Sequence, residues 1–308
     1  MRSLFLLLIV AALSLNSNVN AQRTCHTMDH LQEQLLQDPT LFNQMQQIEQ
    51  HTQQFALSEN DNQRDGNVIT IPVVVHIVWK TAAQNLSQAQ IQSQMDVLNE
   101  DFRRLNSDAS QTISQFQGVA ADIELEFCLA TTDPQGNTTD GIVRTQTTVN
   151  QWNGDQIKSA SQGGSNAWPA GSYLNMWVGN LGGGILGWAT FPGGNASQDG
   201  VVINTVNFGS GGTAQAPFDL GRTATHEVGH WLNLYHIWGD GGCNQDDNVS
   251  DTPASNQETY GCNLSKTTCN SLDMVQNYMD YSDDACMNLF TTGQKTRMRA
   301  LFSSGGAR

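Results

Sequence analysis

The 308-residue chain carries 29 Asp and Glu against 14 Lys and Arg, a formal net charge of −15, which argues against a nucleic-acid partner because phosphate neutralisation needs clustered basic side chains. Charged residues make up only 14% of the chain, so its polar surface is carried mainly by Asn, Gln, Ser and Thr. With 38% apolar residues, there is material for one large core or two modest ones but not for a multi-span membrane protein.

Residues 1–21 read as a secretory signal peptide. Arg2 supplies the positive start, residues 4–13 the apolar core, and Val19 and Ala21 the small side chains before a cleavage point. The apolar run is too short for a membrane anchor, and no later stretch could span a bilayer, so a secreted, extracellular protein without a membrane span is expected. Export makes disulfides expected among the six cysteines. Cys243, Cys262, Cys269 and Cys286 crowd into the C-terminal part, where three pairings are open. Cys128 reads as a buried free thiol, and Cys25 stands alone.

Residues 22–66 show helical periodicity around Met28, Leu31 and Leu35 and again around Leu41, Met45 and Ile48, followed by a polar tract. They read as a helical pro-segment and linker. Ile69–Trp79 is a nearly continuous β-branched run, a strand buried on both faces. Ser87 is the N-cap of a helix with Ile91, Met95, Leu98, Phe102 and Leu105 on its apolar face. Ile123, Leu125, Phe127 and Leu129 alternate as a half-buried strand. Three more strands are predicted over residues 173–178, 187–191 and 200–206, a helix over 224–234, and a last helix over 292–302, with an irregular stretch between the two helices. The fold class is α+β. An α/β-type N-terminal subdomain (67–236), with a twisted mixed sheet and an active-site helix, precedes an irregular disulfide-held C-terminal subdomain (237–308).

The informative stretch is His226-Glu227-Val228-Gly229-His230-Trp231-Leu232-Asn233-Leu234-Tyr235-His236. Residues i and i+4 share a helix face, so His226 and His230 can aim two imidazoles at one zinc ion with Glu227 beside them. His236 can join as third ligand only if the chain leaves the helix after Leu232. Asn233 lies where that exit is needed, and Asn adopts the left-handed conformation more readily than most residues. Among the histidines after residue 66, only His76 lies outside this motif, and it reads as a core residue.

This pattern resembles the extended zinc motif of metzincin metallopeptidases, and Asn277-Tyr278-Met279-Asp280-Tyr281 resembles their Met-turn. Together with Asp251-Thr252-Pro253 and the segment FTTGQKTRM, residues 69–302 are similar to the pappalysin family, including its ulilysin-like and cytophagalysin-like members. One departure is Asn233, where most metzincins have Gly.

The resemblance implies a secreted zinc endopeptidase acting on protein or peptide substrates and made as a latent zymogen. His226, His230 and His236 would bind zinc, and Glu227 would be the general base for attack by zinc-bound water. Met279 would lie beneath the metal, and Tyr281 would stabilise the oxyanion. Cys25 would occupy the open zinc position in the latent form until cleavage near Arg64-Asp65, and an extended substrate would lie along the strand at 187–191. The family also implies calcium, with Asp247, Asp251 and Thr252 as candidate ligands, and the disulfides Cys243–Cys269 and Cys262–Cys286. Arg-cleaving relatives carry an acidic residue immediately before the last cysteine. Here that position is Ala285, with Asp283 and Asp284 close by. The five N-x-S/T sequons follow from a composition rich in Asn, Ser and Thr. The rival reading is a non-catalytic extracellular binding or adhesion module stabilised by zinc and calcium, which would have no use for Glu227 as a base.

Overall fold

The computed structural model describes residues 22–58 and 67–308. The expected signal peptide and the Arg64-Asp65 point lie outside the described residues. Two helices come first, α1 (Thr27–Gln37) and α2 (Thr40–Ser58), followed by β1 (Ile69–Trp79) and α3 (Gln88–Phe102). A single-turn α4 (Ser114–Gln117) then leads to β2 (Leu125–Leu129), β3 (Ile142–Gln146), β4 (Leu174–Gly179), β5 (Gly187–Ala189) and β6 (Val201–Asn204). After α5 (Arg222–Trp231) come the short strands β7 (Thr267–Thr268) and β8 (Ser271–Leu272) and finally α6 (Thr292–Ala300). No helix among the described residues is long and apolar enough to cross a membrane.

The β-branched run β1 is the spine of a mixed sheet. Its first half pairs in parallel with β2 and its second half with β3, while its other edge takes β4 in parallel. Beyond β4 lies β6, also parallel, and then β5, which pairs antiparallel to β6 and ends the sheet. The core between sheet and helices joins β1 residues such as Val73, Val75 and Ile77 to Ile91, Met95 and Leu98 of α3 and to Val228 of α5. Burying such side chains contributes roughly 1.5–3 kcal/mol each, an upper figure because the unfolded chain is itself partly collapsed.

Ser87 caps α3, its hydroxyl accepting from the Gln90 amide at 3.2 Å. The predicted apolar face runs one residue too far, because α3 stops at Phe102. Arg104 turns left-handed (φ +50°), and the Leu105 amide reaches back to the Glu100 carbonyl at 2.7 Å, which leaves Leu105 exposed. Cys128 also departs from its sequence reading. With Ile123, Leu125 and Phe127 facing the core, the strand period puts Cys128 on the opposite face, exposed. β3, unpredicted, has only partly buried or exposed residues and so lacks a strong apolar signal. In the C-terminal part Cys243 is bonded to Cys269 and Cys262 to Cys286, closing the irregular region around the β7–β8 pair.

His76 sits fully buried on β1, stacked on Trp177 with centroids 5.1 Å apart. Its Nε2 lies 3.0 Å from Asn175 Oδ1 and its Nδ1 2.9 Å from the Ser165 hydroxyl. Burial lowers its pKa to about 4, the Asn175 contact opposing the shift. A histidine kept neutral by the fold stabilises fully above its unfolded pKa of ~6.5 and loses that contribution as pH falls towards 4, about 3 kcal/mol in all. Urea unfolding of wild type and His76→Gln at pH 7 and pH 4 checks this: the variant should be less stable at pH 7 and lack that part of the acid-side slope. Parallel losses in the two proteins would refute it.

Candidate active site

All ten residues of α5 are buried. The helix begins after Gly221, which adopts the left-handed conformation (φ +78°), and is fixed from the side by Asp101 of α3, whose carboxylate accepts from Thr225 at 2.8 Å and from Tyr278 at 2.7 Å. At its other end Asn233 is left-handed (φ +70°), as the motif requires, and the chain turns so that His236 faces His226 and His230. The Nε2 atom of His230 lies 3.2 Å from that of His226 and 3.1 Å from that of His236.

The hydrogen bonds behind the imidazoles assign their protons. His226 Nδ1 meets the Tyr278 carbonyl at 2.7 Å, and His230 Nδ1 meets the Leu234 carbonyl at 2.8 Å. A carbonyl only accepts, so each Nδ1 carries the proton and each Nε2 is a bare lone pair. His236 Nδ1 is bound in the same way by the Asp240 carboxylate at 2.6 Å. Burial, followed by the neighbouring imidazoles, holds the pKa of His226 and His230 well below the usual range, so both rings are neutral. Bare lone pairs about 3 Å apart repel unless a cation lies among them. Three imidazoles oriented by acceptors behind them are a donor set suited to zinc.

Met279 is fully buried, with its amide held by the Asn277 side chain at 2.9 Å. It approaches α5 at Gly229, where a Cβ would lie 2.4 Å from the Met279 sulfur. Tyr281 flanks the cluster, its ring centroid 5.8 Å from that of His226 and 5.0 Å from that of His236.

A strand-like thread from the N-terminal segment crosses the site. The Leu186 amide donates to the Thr24 carbonyl at 3.0 Å and the His26 amide to the Gly187 carbonyl at 2.9 Å, so residues 24–26 run parallel to the edge strand β5. Cys25 Sγ lies 3.5 Å from both His230 Nε2 and Glu227 Oε2, and it groups with the three histidines as one potential metal-binding cluster. Thr27 donates its hydroxyl to Glu227 at 2.8 Å and accepts the Ala189 amide at 2.8 Å. The Tyr281 hydroxyl donates to the Cys25 carbonyl at 3.3 Å. Burial pushes Glu227 up to about 7 against the lowering bonds from Thr27 and Cys25, and burial and then Glu227 push the Cys25 thiol up.

Two residues before Cys25, Arg23 enters a pocket at 1% exposure. Its guanidinium meets Asp284 at 2.5 Å, donates to the Ser282 carbonyl and the Thr223 hydroxyl, and stacks over Phe218 at 4.9 Å. Asp284 also accepts the amides of Leu220 and Arg222. The acid in this pocket is therefore Asp284, whereas Ala285 is exposed. Arg23 and Thr27 escaped the sequence reading, although the alternation Arg23-Cys25-Thr27 is the spacing of one face of an extended strand. Asp240, behind His236, carried no signal beyond the general acidity of its loop.

Of the candidate calcium ligands, Asp247 and Thr252 meet through the Thr252 hydroxyl at 2.8 Å, and burial pushes Asp247 up to about 7. Asp251 instead accepts the Thr291 hydroxyl at 2.6 Å and the Gly293 amide at 2.9 Å, at the start of α6.

Comparison with known proteins agrees with this geometry. Residues 157–303 match the model of the peptidase M43 family, described as pregnancy-associated plasma protein-A. An extracellular metalloprotease of Colletotrichum graminicola is 34% identical over 316 residues, covering 96% of each chain, and one of Pyricularia oryzae is 36% identical over 250 residues, covering 77% of this chain and 76% of its own. Among solved structures, mature mirolysin of Tannerella forsythia in complex with a cleaved peptide has a TM-score of 0.77 at 50% identity, covering 78% of this chain and 94% of that one. A promirolysin mutant from the same organism reaches 0.83 at 45% identity, covering 91% and 94%. The chain belongs to the pappalysin family of metallopeptidases.

Proposed function

We propose that this chain is a secreted zinc endopeptidase held latent by its own N-terminal segment, and that it cleaves before basic side chains. The observation that carries the reading is the thread Arg23-Cys25-Thr27, which covers the edge strand, the histidine cluster and Glu227 together. The relatives are extracellular metalloproteases by name, and a protein similar to this one has been seen with a cleaved peptide. In this reading residues 1–21 are the signal peptide, 22–66 the pro-segment and 67–308 the catalytic domain.

His226, His230 and His236 hold the zinc, with Asp240 and the carbonyls of Tyr278 and Leu234 fixing their orientation. Bound zinc supplies a Lewis acid that polarises the scissile carbonyl and acidifies water. Glu227, released from Thr27 and Cys25 when the segment leaves, takes a proton from the attacking water and passes it to the leaving amine. In the latent form burial raises this carboxyl, and a carboxyl in this place can both take up and give back one proton. The Tyr281 hydroxyl, which already donates to a backbone carbonyl in the latent form, donates to the developing oxyanion.

A substrate adds to β5 in the antiparallel sense, by β-augmentation. The latent segment runs the opposite way, so its peptide bonds meet the catalytic groups in the wrong order, and a dication among the histidines would favour the Cys25 thiolate. That reversal also places Arg23 where the substrate residue just after the scissile bond would lie, which supports a basic preference read by Asp284. Calcium remains part of the proposal at Asp247 and Thr252, where a buried carboxylate meets only neutral hydroxyl and amide donors.

Three outcomes are expected. Glu227→Ala should keep one zinc per chain and lose casein hydrolysis by a hundredfold or more, within the ~10²–10⁴ range of general-base catalysis, and a chelator should abolish wild-type activity; a zinc-replete wild-type enzyme that cleaves no protein or peptide would sink the reading. Cys25→Ala should process itself faster than wild type, whereas an equal rate removes the thiol from latency. Asp284→Asn should lower kcat/KM for peptides with Arg after the cleaved bond on the order of a hundredfold, about 3 kcal/mol, while sparing those with Leu there. Equal losses on both peptide sets would place the specificity elsewhere.

A further inference from the structure

The turn that brings His236 to the cluster depends on one non-glycine residue in a left-handed conformation, and its support comes from another element. Asn233 has φ +70°, and its side-chain Nδ2 is buried without a hydrogen-bond partner, so that nitrogen does not anchor the turn. The backbone does part of the work, with the Asn233 amide on the His230 carbonyl at 2.9 Å and the Leu234 amide on the Gly229 carbonyl at 3.0 Å. The Asn233 carbonyl accepts from Nε of Arg297, on α6, at 2.7 Å. Arg297 is 3% exposed, and its guanidinium lies 5.5 Å over the Tyr235 ring, which stacks on Phe191 beside His230.

Position along the chain gives this bond its reach. The next carbonyl, that of Leu234, orients His230, and His236 follows two residues later. Arg297 is itself fixed because α6 starts with a reciprocal cap between Thr291 and Gln294, and Gln294 exchanges hydrogen bonds with Asn277 at the head of the Met279 turn. The terminal nitrogens of Arg297 are occupied differently, by Glu49 of α2, with Nη1 to Oε1 at 3.1 Å. Loss of residues 22–66 removes Glu49 and leaves the Nε bond in place.

We infer that Arg297 is a positioning residue for the metal site, holding the left-handed turn at Asn233 so that His230 and His236 converge. The inference rests on the reading that His226, His230 and His236 bind zinc. It predicts that the cost of losing Arg297 is the cost of an unsupported left-handed asparagine, which a glycine at that position would not incur.

The test is zinc affinity, by competition with a chromophoric chelator, on the full secreted chain. Variants are Arg297→Met, Arg297→Lys and the double change Arg297→Met with Asn233→Gly. The lysine variant keeps the charge and most of the stem and is the milder change for folding, but it has no Nε–H at that depth. Both single variants should bind zinc about ten- to a hundredfold more weakly, with kcat reduced and KM unchanged after activation, and the glycine should restore most of the affinity. Wild-type affinity in Arg297→Lys, or a weakened Arg297→Met that glycine does not rescue, overturns the inference. A wild-type chain that takes up no zinc overturns the site reading and this inference with it, and is told apart by the wild-type arm alone.

Discussion

Three imidazoles aimed at one point with bare nitrogens are an electrostatic liability until a cation joins them, and much of the fold exists to hold them there. The carbonyls of Tyr278 and Leu234 and the Asp240 carboxylate fix ring orientation from behind. Each comes from a different segment: the Met279 turn, the reversal after α5, and the loop beyond His236. The disulfides Cys243–Cys269 and Cys262–Cys286 tie the irregular region carrying two of these segments, where little apolar burial is available to do so. The mixed sheet contributes one edge, β5, and helps to bury α5, whose polar side chains find their partners on other elements: Thr225 on Asp101, Glu227 on Thr27 and His226 on the Tyr278 carbonyl.

Latency uses the same edge and the same donors. The N-terminal thread takes the strand-pairing groups of β5, the acceptor of Glu227, the donor of Tyr281 and the acidic pocket at Asp284, the first and third through its backbone and the others through Thr27 and Arg23. A segment that met only the histidines would compete with substrate at one point. Here the segment also covers the edge of β5, Glu227 and the Asp284 pocket, and α2 adds contacts with α6 through Glu49 and His51.

What could be read from the sequence was local. His226, Glu227 and His230 lie within one helical turn and a half, and the need for a left-handed residue at Asn233 follows from their spacing to His236. β1 announces itself because it is buried on both faces, whereas β3 is half-solvated and gives no period. Cys128 and Leu105 were misplaced for related reasons: an apolar-looking residue says nothing about which face it takes, and a helix stop built on Arg104 rather than glycine leaves no mark. Arg23 and Asp284 meet from opposite ends of the chain. No spacing rule connects them, so the sequence alone, with Ala285 at the family's acidic position and Asp283 and Asp284 beside it, leaves open which acid meets Arg23.

The fit of Gly229 against Met279 has a consequence for how such a site can drift. A methyl at Gly229 would press on the Met279 sulfur, near the far end of a flexible side chain, so the thioether would have to move. The two positions are therefore coupled through one contact, although fifty residues of chain separate them. Alanine at the first would ask the second either to swing its thioether aside or to shorten.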